Sequence, residues 1–73
     1  MRDLNDFYYF VQVVRHGGFS AAARATGLQK SLLSRRIQAL EDRLHTRLIQ
    51  RSSRHFKITE TGNRFYAHCT ALL

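Results

Sequence analysis

The sequence predicts a mainly α-helical fold centred on a helix-turn-helix. Apolar residues recur at helical spacing in successive segments, glycines separate the first three segments, and strand-like residues occur only in one short stretch. The 73 residues allow one small domain with a thin core, near the size at which independent folding becomes marginal. We therefore expect a three-helix core, a short β-hairpin and the start of a further helix.

The first helix is expected to begin near Asp3, a good N-cap, and to stop at Gly17-Gly18. Phe19 follows just outside the second helix, where an apolar residue often packs back onto the first turns. We interpret the aromatic residues of this region as core rather than as a ligand pocket. The apolar stripe and the aromatic cluster comprise Leu4, Phe7, Tyr8, Tyr9, Phe10, Val11, Val14 and Phe19.

The helix-turn-helix is predicted between Gly18 and Leu44. Ser20 is the expected N-cap of its first helix, and Gly27 supplies the left-handed residue that ends it. The second helix starts at about Ser31, and its residues separate into two faces at 100° per residue. Leu33, Ile37, Leu40 and Leu44 form the face that must pack inward, whereas Ser31, Arg35, Gln38 and Asp42, with Ser34 on the flank, form the opposite face.

The leading end of the second helix carries side chains suited to reading DNA. In a helix-turn-helix, the first turns of the second helix enter the major groove and reach base edges. Arg35 suits a bidentate contact to guanine, Ser31 and Ser34 suit bases or phosphates, and Lys30 suits a phosphate. Gln38 reaches the DNA only if the helix lies flat, and Arg36 is assigned to the DNA backbone or to an ion pair within the domain. The alternative is an ordinary solvated helix face.

The strand-like residues that follow predict a β-hairpin, here called the wing. Its strands are residues 47–49 and 55–58, on either side of Ser52-Ser53. Arg51 and Arg54 lie at its tip and Lys57 on its return strand, so the wing is expected to lie over phosphates or the adjacent minor groove. A loose basic surface loop is the alternative.

The last helix is expected to start after Thr59, its N-cap, with Glu60 favourably placed in the first turn. Phe65, Cys69 and Leu72 line one side of it and are the predicted dimerisation residues. The helix has no obvious partner for Leu72 and Leu73 within so short a domain. A second copy or further sequence is expected to cover them.

Charge and composition point to a polyanionic partner. The formal net charge is +7, and residues 30–57 hold eight of the twelve basic residues but only two acids, Glu41 and Asp42. A single cysteine excludes an internal disulfide, and neither a transmembrane segment nor a signal peptide is apparent. We expect a soluble cytoplasmic chain. A basic amphipathic helix on anionic lipid is disfavoured because the charges spread over a helix and the wing.

Catalysis has little support in the sequence. The four histidines lie on different elements without metal-ligand spacing, no two acids form an obvious pair, and no Gly-rich loop follows a strand. Glu41 is expected to pair with a neighbouring arginine, and Cys69 to be a packed hydrophobe. We expect no enzyme activity, no cofactor and no metal.

The motifs, taken in order, resemble the N-terminal domain of LysR-type transcriptional regulators. The resemblance covers nearly the whole chain without a gap. The residues that carry it are Leu4, Phe10, Val13, the run from Gly17 to Ala23, Ser31, Ser34, Arg35, Ile37, Leu40, Glu41, Leu44, the stretch Arg47-Leu48-Ile49, Arg51, Arg54 and the run Ile58 to Gly62.

The resemblance implies a winged helix-turn-helix over residues 1–58 and, over residues 59–73, the start of a linker helix that forms a homodimer. It also implies binding to double-stranded promoter DNA at interrupted inverted repeats, at the nucleoid. A C-terminal domain that binds a small-molecule effector and assembles tetramers is absent from these residues. The chain departs from the family pattern at Gly18, Gln29, Lys30, His45 and Ile49, which stand for the usual serine, serine, glutamine, glycine and phenylalanine.

The function predicted from the sequence is sequence-specific DNA binding as part of a bacterial transcription regulator. Two other functions fit a basic winged helix, because function lies in surface residues and not in the fold. One is a protein-interaction module that binds an acidic partner. The other is an architectural protein that coats DNA without base contacts.

Overall fold

The chain folds into four helices, as seen in a computed structural model that describes residues 4–50 and 55–72. The helices are α1 (Leu4–His16), α2 (Phe19–Thr26), α3 (Lys30–Leu44) and α4 (Glu60–Leu72). In the described ranges the only β pairing is an isolated antiparallel bridge between Ile49 and Ile58. The mainly α-helical prediction is confirmed, with helix limits within a residue or two of the expected positions.

Helix α1 lies at the centre of the domain and contacts all three other helices. Phe10 and Val13 of α1 have no exposed surface, and the ring of Phe65 from α4 packs edge-on against Phe7 with centroids 5.5 Å apart. This placement buries most of the aromatic cluster, as expected. Tyr8 is the exception, since 42% of its surface is exposed, so its assignment to the core was wrong.

The start of α2 differs from the prediction. Gly18, not Ser20, is the N-cap residue, and Ala22 N donates to the Gly18 carbonyl at 3.0 Å. Phe19 is therefore the first residue of the helix instead of lying outside it. Its ring packs against Phe56 with centroids 6.3 Å apart, and the helix starts two residues earlier than a serine cap would place it. Gly27 ends α2 in the left-handed region (φ 77°), as predicted.

Helix α3 ends at His45, a non-glycine residue in the left-handed region (φ 56°, ψ 38°). Its backbone N–H donates to the Asp42 carbonyl at 3.3 Å and Thr46 N donates to the Glu41 carbonyl at 3.2 Å, which closes the helix. Leu33, Ile37 and Leu40 are buried on the inward face, but Leu44 is 37% exposed, contrary to the prediction. Leu44 is the last helical residue, where α3 extends past the core.

Replacing His45 by glycine is expected to stabilise the domain, because glycine adopts this backbone conformation without the steric cost that a Cβ imposes. We expect the free energy of unfolding to rise by about 0.5–1 kcal/mol, measured by urea denaturation. His16→Gly is the matched control, because His16 lies within the last turn of α1. It should destabilise the domain, and a loss of stability in both variants would contradict the expected result.

The two predicted strands of the wing are reduced, in the described residues, to the single bridge. Gln50 N donates to the Lys57 carbonyl at 2.9 Å, and Thr59 N donates to the Leu48 carbonyl at 3.0 Å. The backbone N–H groups of Leu48 and Ile49 donate instead to a carboxylate oxygen of Glu41, at 2.8 and 3.1 Å. The Leu48 N–H, which would face the return strand in a longer ladder, is thus already used by Glu41. The predicted wing tip, Arg51 to Arg54, lies outside the described residues.

Helix α4 is fixed to the rest of the domain through its N-cap. Thr59 Oγ1 accepts from Gly62 N at 2.9 Å and donates to the Arg47 carbonyl at 2.7 Å. The predicted threonine cap is confirmed. Gly62 lies so close to the chain before the bridge that a Cβ there would overlap the Leu48 carbonyl oxygen and lie 2.6 Å from Cγ2 of Ile58. Only glycine fits at this crossing.

Candidate nucleic-acid interface

The turn between α2 and α3 sets the direction of α3. Thr26 Oγ1 donates to the Ala22 carbonyl at 2.8 Å and accepts from Leu28 N at 3.2 Å. Gln29 is the N-cap residue of α3 but makes no side-chain capping bond. The start of α3 is thus held by its backbone, including a 3.1 Å bond from Leu33 N to the Gln29 carbonyl.

The face of α3 opposite the core is solvent-exposed over its whole length. Its inward residues are buried between α1 and α2, which leaves the other side chains pointing outward. Gln38 Nε2 donates to Asp42 Oδ1 at 3.3 Å, one turn apart along this face. All five residues of α3 that the sequence assigned to DNA are exposed: Lys30, Ser31, Ser34, Arg35 and Gln38.

Two arginines on the flank of α3 point away from that face. Arg36 Nε donates to Asp6 Oδ1 at 2.7 Å, and Arg43 Nη1 donates to Asp6 Oδ2 at 2.9 Å. The interpretation of Arg36 as a partner in an ion pair within the domain is confirmed. Glu41 also pairs with an arginine as expected, since Arg47 Nη1 lies 3.6 Å from its Oε1.

The start of α3 lies beside the base of the wing. Arg24, Lys30, Gln50 and His55 line one shallow groove between α2, α3 and the residues on either side of the bridge. Arg24, Gln50 and His55 were not among the residues predicted to bind DNA. Arg24 could have been found, because it lies in the last turn of the first helix of the motif. Lys57 is exposed, while Arg51 and Arg54 lie outside the described residues.

The predicted dimerisation residues divide into two groups. Cys69 has no exposed surface and belongs to the core of the domain, whereas Phe65 is half-buried: its ring packs against Phe7 and Phe10 and also lines a surface groove. The assignment of Cys69 to a surface for a second copy was wrong, because α4 turns this residue into the core. The assignment of Phe65 stays a prediction, since Phe65 lines a groove at the surface. Leu72 is 56% exposed and lines a groove with Leu44.

Burial also determines the chemistry of the single thiol. It raises the pKa of Cys69 from 9.0 to about 11, so the thiol is protonated at neutral pH. The interpretation of this cysteine as a packed hydrophobe is confirmed.

The four histidines are all exposed. Across residues 4–50 and 55–72, no three histidine, cysteine, aspartate or glutamate side chains lie close enough together to hold a metal ion. None of the helices in those two ranges is long and apolar enough to cross a membrane.

Comparison with known proteins agrees with this geometry. Residues 4–63 match the family model described as "Bacterial regulatory helix-turn-helix protein, lysR family". An HTH-type transcriptional regulator of Xanthomonas campestris pv. campestris is 48% identical over 67 residues, which are 92% of this chain and 20% of that protein. The transcriptional activator TtdR of Escherichia coli K12 is 41% identical over 93% of this chain and 22% of its own length. The chain thus spans about a fifth of these relatives.

Solved structures of related proteins have a similar fold. The DNA-binding domain of BenM, crystallised with catB site 1 DNA, superposes with a TM-score of 0.91 at 38% identity. The match covers 97% of this chain and 79% of that one. Full-length BenM gives a TM-score of 0.90 at 38% identity, with 97% of this chain and 23% of BenM covered.

Proposed function

This chain belongs to the lysR family of bacterial helix-turn-helix regulators, and we propose from that premise that it binds promoter DNA sequence-specifically within a longer transcription regulator. The observation that carries the proposal is the exposed face of α3, where Arg35 and four other polar side chains point outward while the flanking arginines are held by Asp6. A face of this kind fits the major groove. The proposed activity is binding without a catalytic step, in the bacterial cytoplasm at the nucleoid.

The five residues have different roles in the proposal. Arg35 contacts guanine through its guanidinium fork, and Ser31 and Ser34 bond bases or phosphates. Lys30 contacts a phosphate as a point charge, and Gln38 contributes if α3 lies flat in the groove. The net charge of +7 adds attraction that does not depend on sequence.

The wing and α4 complete the proposal. Lys57 and the groove around Arg24 support a second contact beside α3, over the phosphates or the minor groove, with Arg51 and Arg54 assigned to it from the sequence alone. For the dimer, the exposed Leu72 and Leu44 supply an apolar groove that a second copy would cover. In the longer protein, tetramers and a small-molecule effector belong to residues beyond this chain.

Arg35→Ala is expected to weaken binding to a preferred duplex by about 1–3 kcal/mol and to reduce the preference for it over a scrambled duplex. The physical reason is the loss of paired hydrogen bonds to one base edge. Fluorescence anisotropy across a salt series measures both affinities, with the preferred duplex obtained by selection from a random pool.

Arg64→Ala is the matched control, because it removes the same charge from an exposed position on α4. It should leave the ratio of the two affinities unchanged. Equal losses on both duplexes in Arg35→Ala would contradict base reading by Arg35. If the unmodified chain itself fails to prefer any duplex, the proposed function is wrong, and charge-driven coating of DNA would replace it.

A further inference from the structure

Asp6 is the most unusual side chain of the described residues outside the exposed face of α3. It lies in the first turn of α1 and has no exposed surface at all. A carboxylate is buried so completely only when hydrogen bonds and opposite charges compensate for the lost hydration. Both oxygens are used here, Oδ1 by Arg36 at 2.7 Å and Oδ2 by Arg43 at 2.9 Å.

The spacing of the two arginines along α3 lets Asp6 fix the orientation of that helix. Arg36 and Arg43 are seven residues apart on α3, which is two turns or about 10 Å along the helix axis. One carboxylate on α1 thus binds side chains from two different turns of α3. The apolar contacts between α1 and α3 are non-directional, whereas these two hydrogen bonds fix both the rotation and the axial position of α3.

The contact also decides which charges α3 offers to its surroundings. Arg36 follows Arg35 directly, so its side chain leaves the helix only about 100° around the axis from the exposed face. It is 35% exposed, and the arginine side chain is long enough to reach a neighbouring phosphate if it is released. The carboxylate of Asp6 holds it against α1 instead.

We propose that Asp6 is a positioning residue for DNA reading: by holding Arg36 and Arg43 on α1, it fixes the rotation of α3 and keeps Arg36 away from the DNA backbone. This inference rests on the proposed DNA-binding function. It implies that the discrimination between sequences depends on an acid that does not itself contact DNA.

Asp6→Asn tests the inference, because asparagine keeps the size of the side chain and removes its charge. We expect the affinity for a scrambled duplex at low salt to rise, and the slope of log K against log salt to steepen by about one, since Arg36 then neutralises a phosphate. The preference for the selected duplex should fall about tenfold, as for the loss of one base contact. Circular dichroism establishes the folded fraction, and affinities are referred to folded protein.

Two further variants separate the parts of the mechanism. In the double variant Asp6→Asn/Arg36→Gln, the affinity for the scrambled duplex should return to that of the unmodified chain. The reduced preference for the selected duplex should persist. Glu60→Gln removes one negative charge from an exposed position on α4 and should change neither slope nor preference.

The inference is overturned if Asp6→Asn keeps the wild-type preference and slope, or if both affinities fall equally, as a purely structural role would require. Arg36→Gln alone provides a test that does not depend on how well Asp6→Asn folds. It should leave the salt slope unchanged, and a slope lower by about one would show that Arg36 already contacts phosphate. Because every comparison starts from a wild-type chain that prefers its selected duplex, failure of the inference is distinct from failure of the proposed function.

Discussion

Glu41→Ala is expected to lower the free energy of unfolding by roughly 3–5 kcal/mol, because it leaves two buried backbone donors without a partner at about 1–3 kcal/mol each. Glu41 is 3% exposed, and its Oε2 accepts from both Leu48 N and Ile49 N. The ion pair with Arg47 contributes little, since Arg47 is 61% exposed. Urea denaturation followed by circular dichroism measures the loss, which is most of the stability available to a domain of 73 residues.

Glu60→Ala supplies the matched control. Glu60 is 84% exposed and bonds only Arg64 at 3.1 Å among the contacts described for it, so its removal should change stability by less than about 1 kcal/mol. The loss of stability in Glu41→Gln should lie between those of Glu41→Ala and Glu60→Ala, because an amide oxygen still accepts from the backbone. Equal stability of Glu41→Ala and Glu60→Ala would show that the carboxylate does not hold the chain before the bridge.

Gly62→Ala is the second substitution with a large expected effect. A methyl group at this position would overlap the Leu48 carbonyl oxygen and Cγ2 of Ile58, and backbone cannot rotate away as a side chain does. Helix α4 would have to move outward, which lengthens the 3.0 Å bond from Thr59 N to the Leu48 carbonyl. We expect the overlap to lower the free energy of unfolding by about 3 kcal/mol. This loss exceeds the gain of about 1 kcal/mol that alanine brings through its higher helix propensity.

Asn63→Ala controls for helix propensity at the neighbouring exposed position. It should leave stability unchanged or raise it slightly. Thermal unfolding of both variants gives the comparison, with a lower midpoint expected for Gly62→Ala alone. A midpoint for Gly62→Ala at or above that of the unmodified chain would mean that α4 has room to move without loss.

The sequence predicts the helices well where local chemistry determines them. Gly27 has to adopt a left-handed conformation and Thr59 supplies a hydroxyl for capping, so the end of α2 and the start of α4 are readable from single residues. The two faces of α3 follow from helical periodicity. The exposed positions of Ser31 and Arg35 were predicted for the same reason.

The features that were missed depend on contacts between distant parts of the chain. Phe19, the first residue of α2, packs against Phe56, which lies far from it along the chain. Glu41 accepts from the backbone of Leu48 and Ile49, a contact that its place in the sequence does not reveal. Asp6 looks like an ordinary surface acid in the sequence, and only the packing of α1 on α3 explains its burial.

In the candidate site, too, the locally determined features were predicted and the contacts between distant residues were missed. Residue type and helical phase identify the outward face of α3, but they do not reveal that Arg24 shares a groove with Lys30. They also assigned Cys69 to an interface between copies, since an apolar stripe does not say which partner covers it. In this chain Cys69 is buried within the domain, whereas Phe65 and Leu72 line a surface groove.

The bridge at the base of the wing has a consequence for how such a domain can diversify. Hydrogen bonds from Gln50 to Lys57 and from Thr59 to Leu48 join the two ends of the wing independently of its tip. Lengthening a closed loop adds little free energy, about 0.6 kcal/mol per doubling. Insertions between residues 50 and 55 should therefore change the free energy of folding little, whereas Phe56 has to be kept because its ring packs against Phe19. New surface contacts can then be engineered in the wing tip without redesign of the helices.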